Sequence, residues 1–317
     1  MAGSRPAINQ GKLPVRIGTR GSPLALVQAE MVRGCLMAHH PHLGDEGGIE
    51  IVVIKTTGDQ VQDRPLSEIG GKGLFTKEIE EALLDGRIDL AVHSMKDVPT
   101  LLHDGLEIAC LLKREDPRDA LISTVGSSIA TLPTGAVVGT ASLRRQAQIK
   151  ALRPDLAIVP LRGNVGTRLA KIERGEAAAT LLALAGLKRL GKENAASAIL
   201  SIEEMLPAVA QGAIGIEIRS DDRATRDLLA PCNDRETQIV VAAERACLAE
   251  LEGSCRTPIA AFAELQGNEL HLRALIALPD GSQVHRDDRR GDAGDPAALG
   301  RAAGRHLKAL AGPRFLA

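Results

Sequence analysis

Seven basic residues stand at turns flanked by Gly, Ser or Thr: Arg20, Lys72, Lys96, Arg144, Arg145, Arg162 and Arg168. A guanidinium fork beside a helix N-terminus is a ready receptor for a carboxylate or phosphate. Unpaired backbone N–H groups, the positive end of the helix dipole and two parallel Arg donors all act on the same anion. One such Arg is ordinarily a solvated surface charge, whereas a series of them at turn after turn points to a local anion cleft. The formal net charge is −1, so no global basic field favours nucleic acid, and three Phe with no Trp or Tyr leave few stacking platforms. Gly70-Gly71-Lys72-Gly73 is too short for a phosphate-binding P-loop and reads better as a mobile loop.

Three further residues are candidates for chemistry. Asp97 follows Lys96 at the end of a strand. A carboxylate there either exchanges protons with a bound substrate, stabilises a cation formed in the reaction, or serves only as a turn-former before Val98-Pro99. Cys255 lies in Gly253-Ser254-Cys255-Arg256, where a thiol is either accessible and activated by the neighbouring Arg or simply packed. His93 reads as a hydrogen-bonded core residue. The five cysteines, Cys35, Cys110, Cys232, Cys247 and Cys255, are odd in number and show no C-x-x-C spacing. That argues against a disulfide framework and against zinc, so no metal site is expected.

The elements that must position these residues alternate. Val15 to Gly18 reads as a strand, and Ser22-Pro23 opens a helix through Met37, with Ser as N-cap and Pro at the first helical position. Strands at Ile49–Lys55 and Asp89–His93 flank a helix over Leu74–Leu84 that Gly86 stops. The charged segment Arg114 to Asp119 reads as a linker. A second set follows: a strand at Ala136–Gly139, a helix from Ser142 to Leu152, a strand at Leu156–Leu161, a turn at Arg162-Gly163-Asn164 and a helix to Arg174. Ala213–Ile218 alternates like a strand and is expected to return to the first sheet. The remainder offers a helix at Thr237–Leu251, strands at Ala260–Leu265 and Leu270–Leu278 and a last helix at Pro296–Leu310. This rhythm predicts an α/β fold with largely parallel sheets and a small third α/β domain. The boundaries read as 1–112 with 213–230 for the first domain, 118–206 for the second and 235–317 for the third. Ile17-Gly18-Thr19-Arg20-Gly21-Ser22 is echoed by Val138-Gly139-Thr140-Ala141-Ser142, which fits two similarly built domains.

The 317 residues are 44% apolar and 25% charged, which suits two or three globular domains. No apolar run approaches the roughly 20 residues that span a bilayer. Met1 to Lys12 has no apolar signal core, so a cytoplasmic protein is expected.

In long motifs the chain resembles the porphobilinogen deaminases, also called hydroxymethylbilane synthases. The matching segments include Arg16 to Leu26, Gly70 to Phe75, Ala91-Val92-His93-Ser94-Met95-Lys96-Asp97-Val98-Pro99, Arg114 to Ala120, Val138 to Gln146, Leu161 to Leu169 and Pro207 to Gly212, in that order. The resemblance implies two lobes like those of periplasmic binding proteins and a third domain whose Cys255 holds a dipyrromethane cofactor through a thioether. It implies a transferase that condenses four porphobilinogen molecules head to tail, releasing ammonia each time, and hydrolyses the product to hydroxymethylbilane in haem biosynthesis. Asp97 is then the carboxylate that stabilises the azafulvene cation and manages protons. Arg20, Ser22, Lys72, Phe75, Lys96, Thr140, Ser142, Arg144, Arg145, Arg162, Gly163, Asn164, Arg168 and Arg189 are the implied cofactor and substrate contacts, and a monomer is the implied state. Two departures stand out. Ser254 replaces the usual Gly before the cysteine, a small change that attachment is expected to survive. Ala141 replaces a usual Ser or Thr and removes one hydroxyl.

Overall fold

Val15, Ile17, Gly18 and Thr19 are all buried, so the first strand is covered on both faces, as a central parallel strand must be. The computed structural model describes residues 14–60, 76–252, 257–312 and 315. Its first elements in chain order are β1 (Val15–Arg20), α1 (Pro23–His39), β2 (Ile49–Ile54), α2 (Thr57–Gln60), α3 (Lys77–Leu84), β3 (Leu90–Ser94) and β4 (Leu106–Leu111). Then come β5 (Asp119–Ser123), β6 (Val137–Gly139), α4 (Leu143–Leu152), β7 (Ala157–Val159), α5 (Val165–Glu173), β8 (Ala179–Ala183), α6 (Leu184–Arg189) and β9 (Ala198–Ile199). The last are β10 (Ile214–Arg219), α7 (Arg223–Leu229), α8 (Arg235–Glu250), β11 (Ile259–Gln266), β12 (Glu269–Ala277), β13 (Val284–Asp292) and α9 (Pro296–Ala311). Among the described residues no helix is long and apolar enough to cross a membrane.

Contacts divide the chain into two compact units. The first holds described residues 14–60, 76–114 and 213–238. Its sheet has the order β2-β1-β3-β10-β4, with β1 parallel to β2 and β3, and β10 antiparallel to both β3 and β4. The expected return of the 213–218 segment is therefore observed, and it fills a central position. Helices cover both faces. Ala29, Val32 and Leu36 of α1 pack on Val15, Ile17, Leu90 and Ile216, while Ile79, Ala82 and Leu83 of α3 pack on Ile54, Ile88 and Ala91.

The second unit holds residues 115–212 and the described residues from 239 onward. Its larger sheet repeats the plan in the order β7-β6-β8-β5-β9, with β6 parallel to β7 and β8, and β5 antiparallel to β8 and β9. The charged stretch read as a linker ends at Arg118, and Asp119 begins β5. The third sheet, β11-β12-β13, is antiparallel throughout. It packs within this unit, with Phe262, Leu275 and Ala277 against Ala147 of α4. Gly281, at φ +71°, lies so close to α4 that a Cβ would stand 2.4 Å from the Ala151 amide nitrogen, so only glycine fits there. Glu244 of α8, fully buried, accepts from the amides of Ala210 (2.6 Å) and Ala263 (2.9 Å), tying the 207–212 loop to β11.

Candidate active site

In the first unit one pocket is lined by Arg20, Ser22, Gln28, Thr76, His93, Ser94 and Asp97 together with Leu24, Ala25 and Val92. Each polar group has a local reason to be there. Ser22 is the N-cap of α1, and its hydroxyl accepts from the Ala25 amide at 3.3 Å. Pro23 supplies the pre-set first helical φ, and Thr19 Oγ1 donates to the Ala25 carbonyl. Arg20 is the last residue of β1, at the carboxyl end of a parallel strand, where open α/β sheets bind ligands.

Asp97 and Lys96 are exposed on a 3-10 turn, Met95–Asp97, that follows β3. The turn is anchored from below. Met95 is buried, its amide donates to the Ala213 carbonyl at 3.1 Å, and Gly215 leaves its sulfur room that a Cβ would occupy at 2.0 Å. The carboxylate of Asp97 is thus carried on a rigid base.

Beneath it, His93 Nε2 meets Glu217 Oε2 of β10 at 3.0 Å, both groups buried, and Glu217 Oε1 has no partner among the described residues. His93 is the hydrogen-bonded residue the sequence suggested, but it also borders the pocket. Gln28 and Ser94 exchange two hydrogen bonds, at 2.8 and 3.1 Å. Sequence reasoning missed Gln28, Thr76, Ser94 and Glu217. Gln28 had a visible signal, a polar side chain directly beside Ala29 in the buried stripe of α1.

In the second unit the remaining candidates gather at two helix starts. Ser142 caps α4, accepting from the Arg145 amide, and Thr140 Oγ1 accepts from the Ser142 amide at 3.1 Å. Asn164 caps α5, accepting from the amide and hydroxyl of Thr167 at 2.9 and 3.0 Å. Gly163 holds φ +118°, and Arg168 Nε donates to its carbonyl at 2.8 Å. Arg162 Nη1 is buried without a hydrogen-bond partner among the described residues. Arg189 donates from Nη2 to the Gly212 carbonyl at 2.7 Å, while its Nε has no partner among the described residues; burial lowers its pKa, partly offset by Glu115.

Arg144 and Arg145, which the resemblance implies as cofactor and substrate contacts, turn inward in the structure. Both are 6% exposed and share one fully buried carboxylate, Asp119, at 2.7 and 2.8 Å. Their Nη1 groups donate to the carbonyls of Leu206 and Leu181, and Gln211 donates to Asp119 as well. Desolvation works to raise the Asp119 pKa, but the charges and hydrogen bonds of the two arginines hold it well below the carboxylate range. Two cations on one anion leave a net +1 beneath the first turn of α4, in a low-dielectric setting where charge acts strongly. Lys72, Phe75 and Cys255 lie outside the described residues.

Two family models match the chain. The porphobilinogen deaminase dipyrromethane cofactor-binding domain covers residues 15–227, and the porphobilinogen deaminase C-terminal domain covers residues 238–309. A chloroplastic porphobilinogen deaminase of rice (Oryza sativa subsp. japonica) is 56% identical over 305 residues, which is 95% of this chain and 85% of the rice protein. The porphobilinogen deaminase of Paracoccus denitrificans (strain Pd 1222) is 59% identical over 287 residues, 90% of this chain and 91% of the relative. Among solved structures, a YaeC-family lipoprotein from Enterococcus faecalis V583 aligns with a TM-score of 0.43 at 12% identity, covering 74% of this chain and 97% of that one. Matched by both models and by relatives of this identity over most of its length, the chain belongs to the porphobilinogen deaminase family of enzymes.

Proposed function

We propose that the chain joins four porphobilinogen molecules head to tail, with loss of one ammonia at each addition, and releases hydroxymethylbilane by hydrolysis. The observation that carries this reading is the pocket that Arg20, Ser22 and Asp97 share at the N-terminus of α1. Porphobilinogen bears an acetate, a propionate and an aminomethyl group. Arg20 and the first-turn amides of α1 suit the carboxylates, and Asp97 suits the amino group. As ammonia departs, positive charge develops on the substrate, and a carboxylate held on a rigid turn stabilises it without reorganising. Asp97 also accepts and returns the protons that each addition moves.

The residues of the second unit fit a group bearing several carboxylates. Buried donor atoms of Arg162, Arg189 and Arg145 have no partner among the described residues, and two capped helix starts and a net buried +1 lie in the same unit. On this reading Thr140, Ser142, Arg162, Gly163, Asn164, Arg168 and Arg189 hold the dipyrromethane, and Lys72, Lys96 and Phe75 are substrate-binding residues of the first unit. Cys255 carries the thioether. Arg144 and Arg145 act from below, through Asp119, by orienting the Thr140–Ser142 turn and by their residual charge. The cofactor supplies a covalently tethered pyrrole to which substrate is added. The protein then works as a cytoplasmic monomer on a small molecule.

The test is the intact mass of the purified protein beside a Cys255→Ala variant. The expected result is an excess equal to two linked pyrrole units, absent from the variant, with further increments after brief exposure to porphobilinogen. A wild-type mass that stays unmodified even after porphobilinogen is added sinks the reading.

A further inference from the structure

The first unit carries a second cluster of reactive side chains, at the opposite end of α1 from Ser22. With a rise of about 1.5 Å per residue, the last turn of this 17-residue helix lies roughly 20 Å from its first. There Cys35 Sγ stands 3.8 Å and Cys232 Sγ 3.9 Å from His39 Nδ1, and the three atoms all lie within 4.8 Å of one another. Cys35 and His39 are spaced i, i+4 and share a helix face. Cys232 arrives nearly two hundred residues later, on the 3-10 turn Ala230–Cys232 that follows α7. Spacing in the sequence therefore gave no metal signature, and the fold creates one.

The donor set is two thiols and an imidazole. Zinc bonds of about 2.3 Å to sulfur and 2.0 Å to nitrogen place tetrahedral ligand atoms roughly 3.5–3.8 Å apart, close to the separations from the imidazole found here. Cys232 is buried, Cys35 half-buried and His39 exposed, so the cluster has a dry floor and an open side. We propose that Cys35, His39 and Cys232 bind one thiophilic divalent cation of the zinc type, with water in the fourth position. His39 Nδ1 now donates to the Cys35 carbonyl at 2.9 Å. Entry of the ion shifts that ring proton to Nε2, leaving the imidazole neutral, and releases the two thiol protons to solvent. The bound ion ties the end of α1 to the turn after α7. Because the site is remote from Asp97, it acts on the stability of the first unit and leaves turnover alone.

The test titrates the chelator-treated holoenzyme with Co(II) and then Zn(II). One equivalent of Co(II) is expected to give a thiolate-to-cobalt charge-transfer band and the visible bands of a tetrahedral site, both bleached by one equivalent of Zn(II). Cys35→Ser and His39→Ala, at solvent-accessible positions, are expected to weaken binding at least tenfold with unchanged circular dichroism and turnover. His42→Ala is expected to bind as wild type. Zn(II) is expected to raise the melting temperature of wild type but not of Cys35→Ser. No charge-transfer band, a band that survives in both variants, or one lost only in Cys255→Ala overturns the proposal.

Discussion

The turns that end β1 and β6 share a plan and differ in where their charges point. Each central strand has two parallel neighbours, and each sheet includes an antiparallel strand, β10 in the first and β5 in the second. Each turn begins Gly-Thr, with an apolar side chain seated on the glycine: a Cβ on Gly18 would lie 2.2 Å from Ile88, and one on Gly139 2.8 Å from Leu161. Each leads to a Ser N-cap. At the first turn the charged groups Arg20 and Asp97 border a pocket, over a floor of neutral or paired groups. At the second, the first turn of α4 carries two arginines that are drawn inward onto Asp119. One frame thus opens its charged groups to a pocket, and the other uses a carboxylate to lock its own scaffold.

Two carboxylates in parallel frames make that difference measurable. The largest effect is expected from Asp97→Asn: turnover of porphobilinogen should fall about 10²–10⁴-fold, while stability, read by urea unfolding, stays within about 0.5 kcal/mol of wild type. Near-normal turnover would remove Asp97 from the chemistry. Asp119→Asn should do the reverse in kind, costing about 3–5 kcal/mol of unfolding free energy by stranding two buried guanidinium groups. The same pair predicts a pH dependence. Asp119 titrates below its unfolded value near 3.9, so its contribution is complete at neutral pH and is lost as the pH falls below about 4 toward the folded pKa. In Asp119→Asn this part of the acid transition should vanish; an unchanged acid profile would mean the pairing contributes little. The smallest effects concern the caps. Ser22→Ala and Ser142→Ala should each cost about 1 kcal/mol of stability. Only Ser22→Ala borders the pocket with Asp97, so it should lower kcat/KM for porphobilinogen more than its stability loss explains, by kinetics at saturating enzyme integrity.

Much of this was legible in the residues. Ser22-Pro23 marked the start of α1, and the strand-helix alternation marked both larger sheets, because apolar runs and caps are local signals. What escaped depended on distant partners. β5 was hidden because its first residue is an aspartate at the end of a charged run. That aspartate is buried only because Arg144 and Arg145, some 25 positions away, neutralise it. β13, Val-His-Arg-Asp-Asp-Arg-Arg-Gly-Asp, has no apolar alternation; its one buried side chain, Asp287, is paired with Arg289 and His306. The candidate arginines were found as a set by their turns, but sequence spacing could not separate those turned inward from the rest. Likewise Cys232 meets Cys35 and His39 only through the fold.

The position of β10 has a consequence for biosynthesis. It fills the gap between β3 and β4, yet it emerges about a hundred residues after β4 ends. At roughly 5–20 residues per second, the ribosome leaves these two strands without their shared partner for about 5–20 s. Through that interval the nascent first domain exposes two unpaired sheet edges flanked by apolar residues, a template for pairing with another chain. The enzyme's yield in the cell should therefore depend on how well that interval is chaperoned, and a chain truncated before Ile214 should aggregate rather than fold.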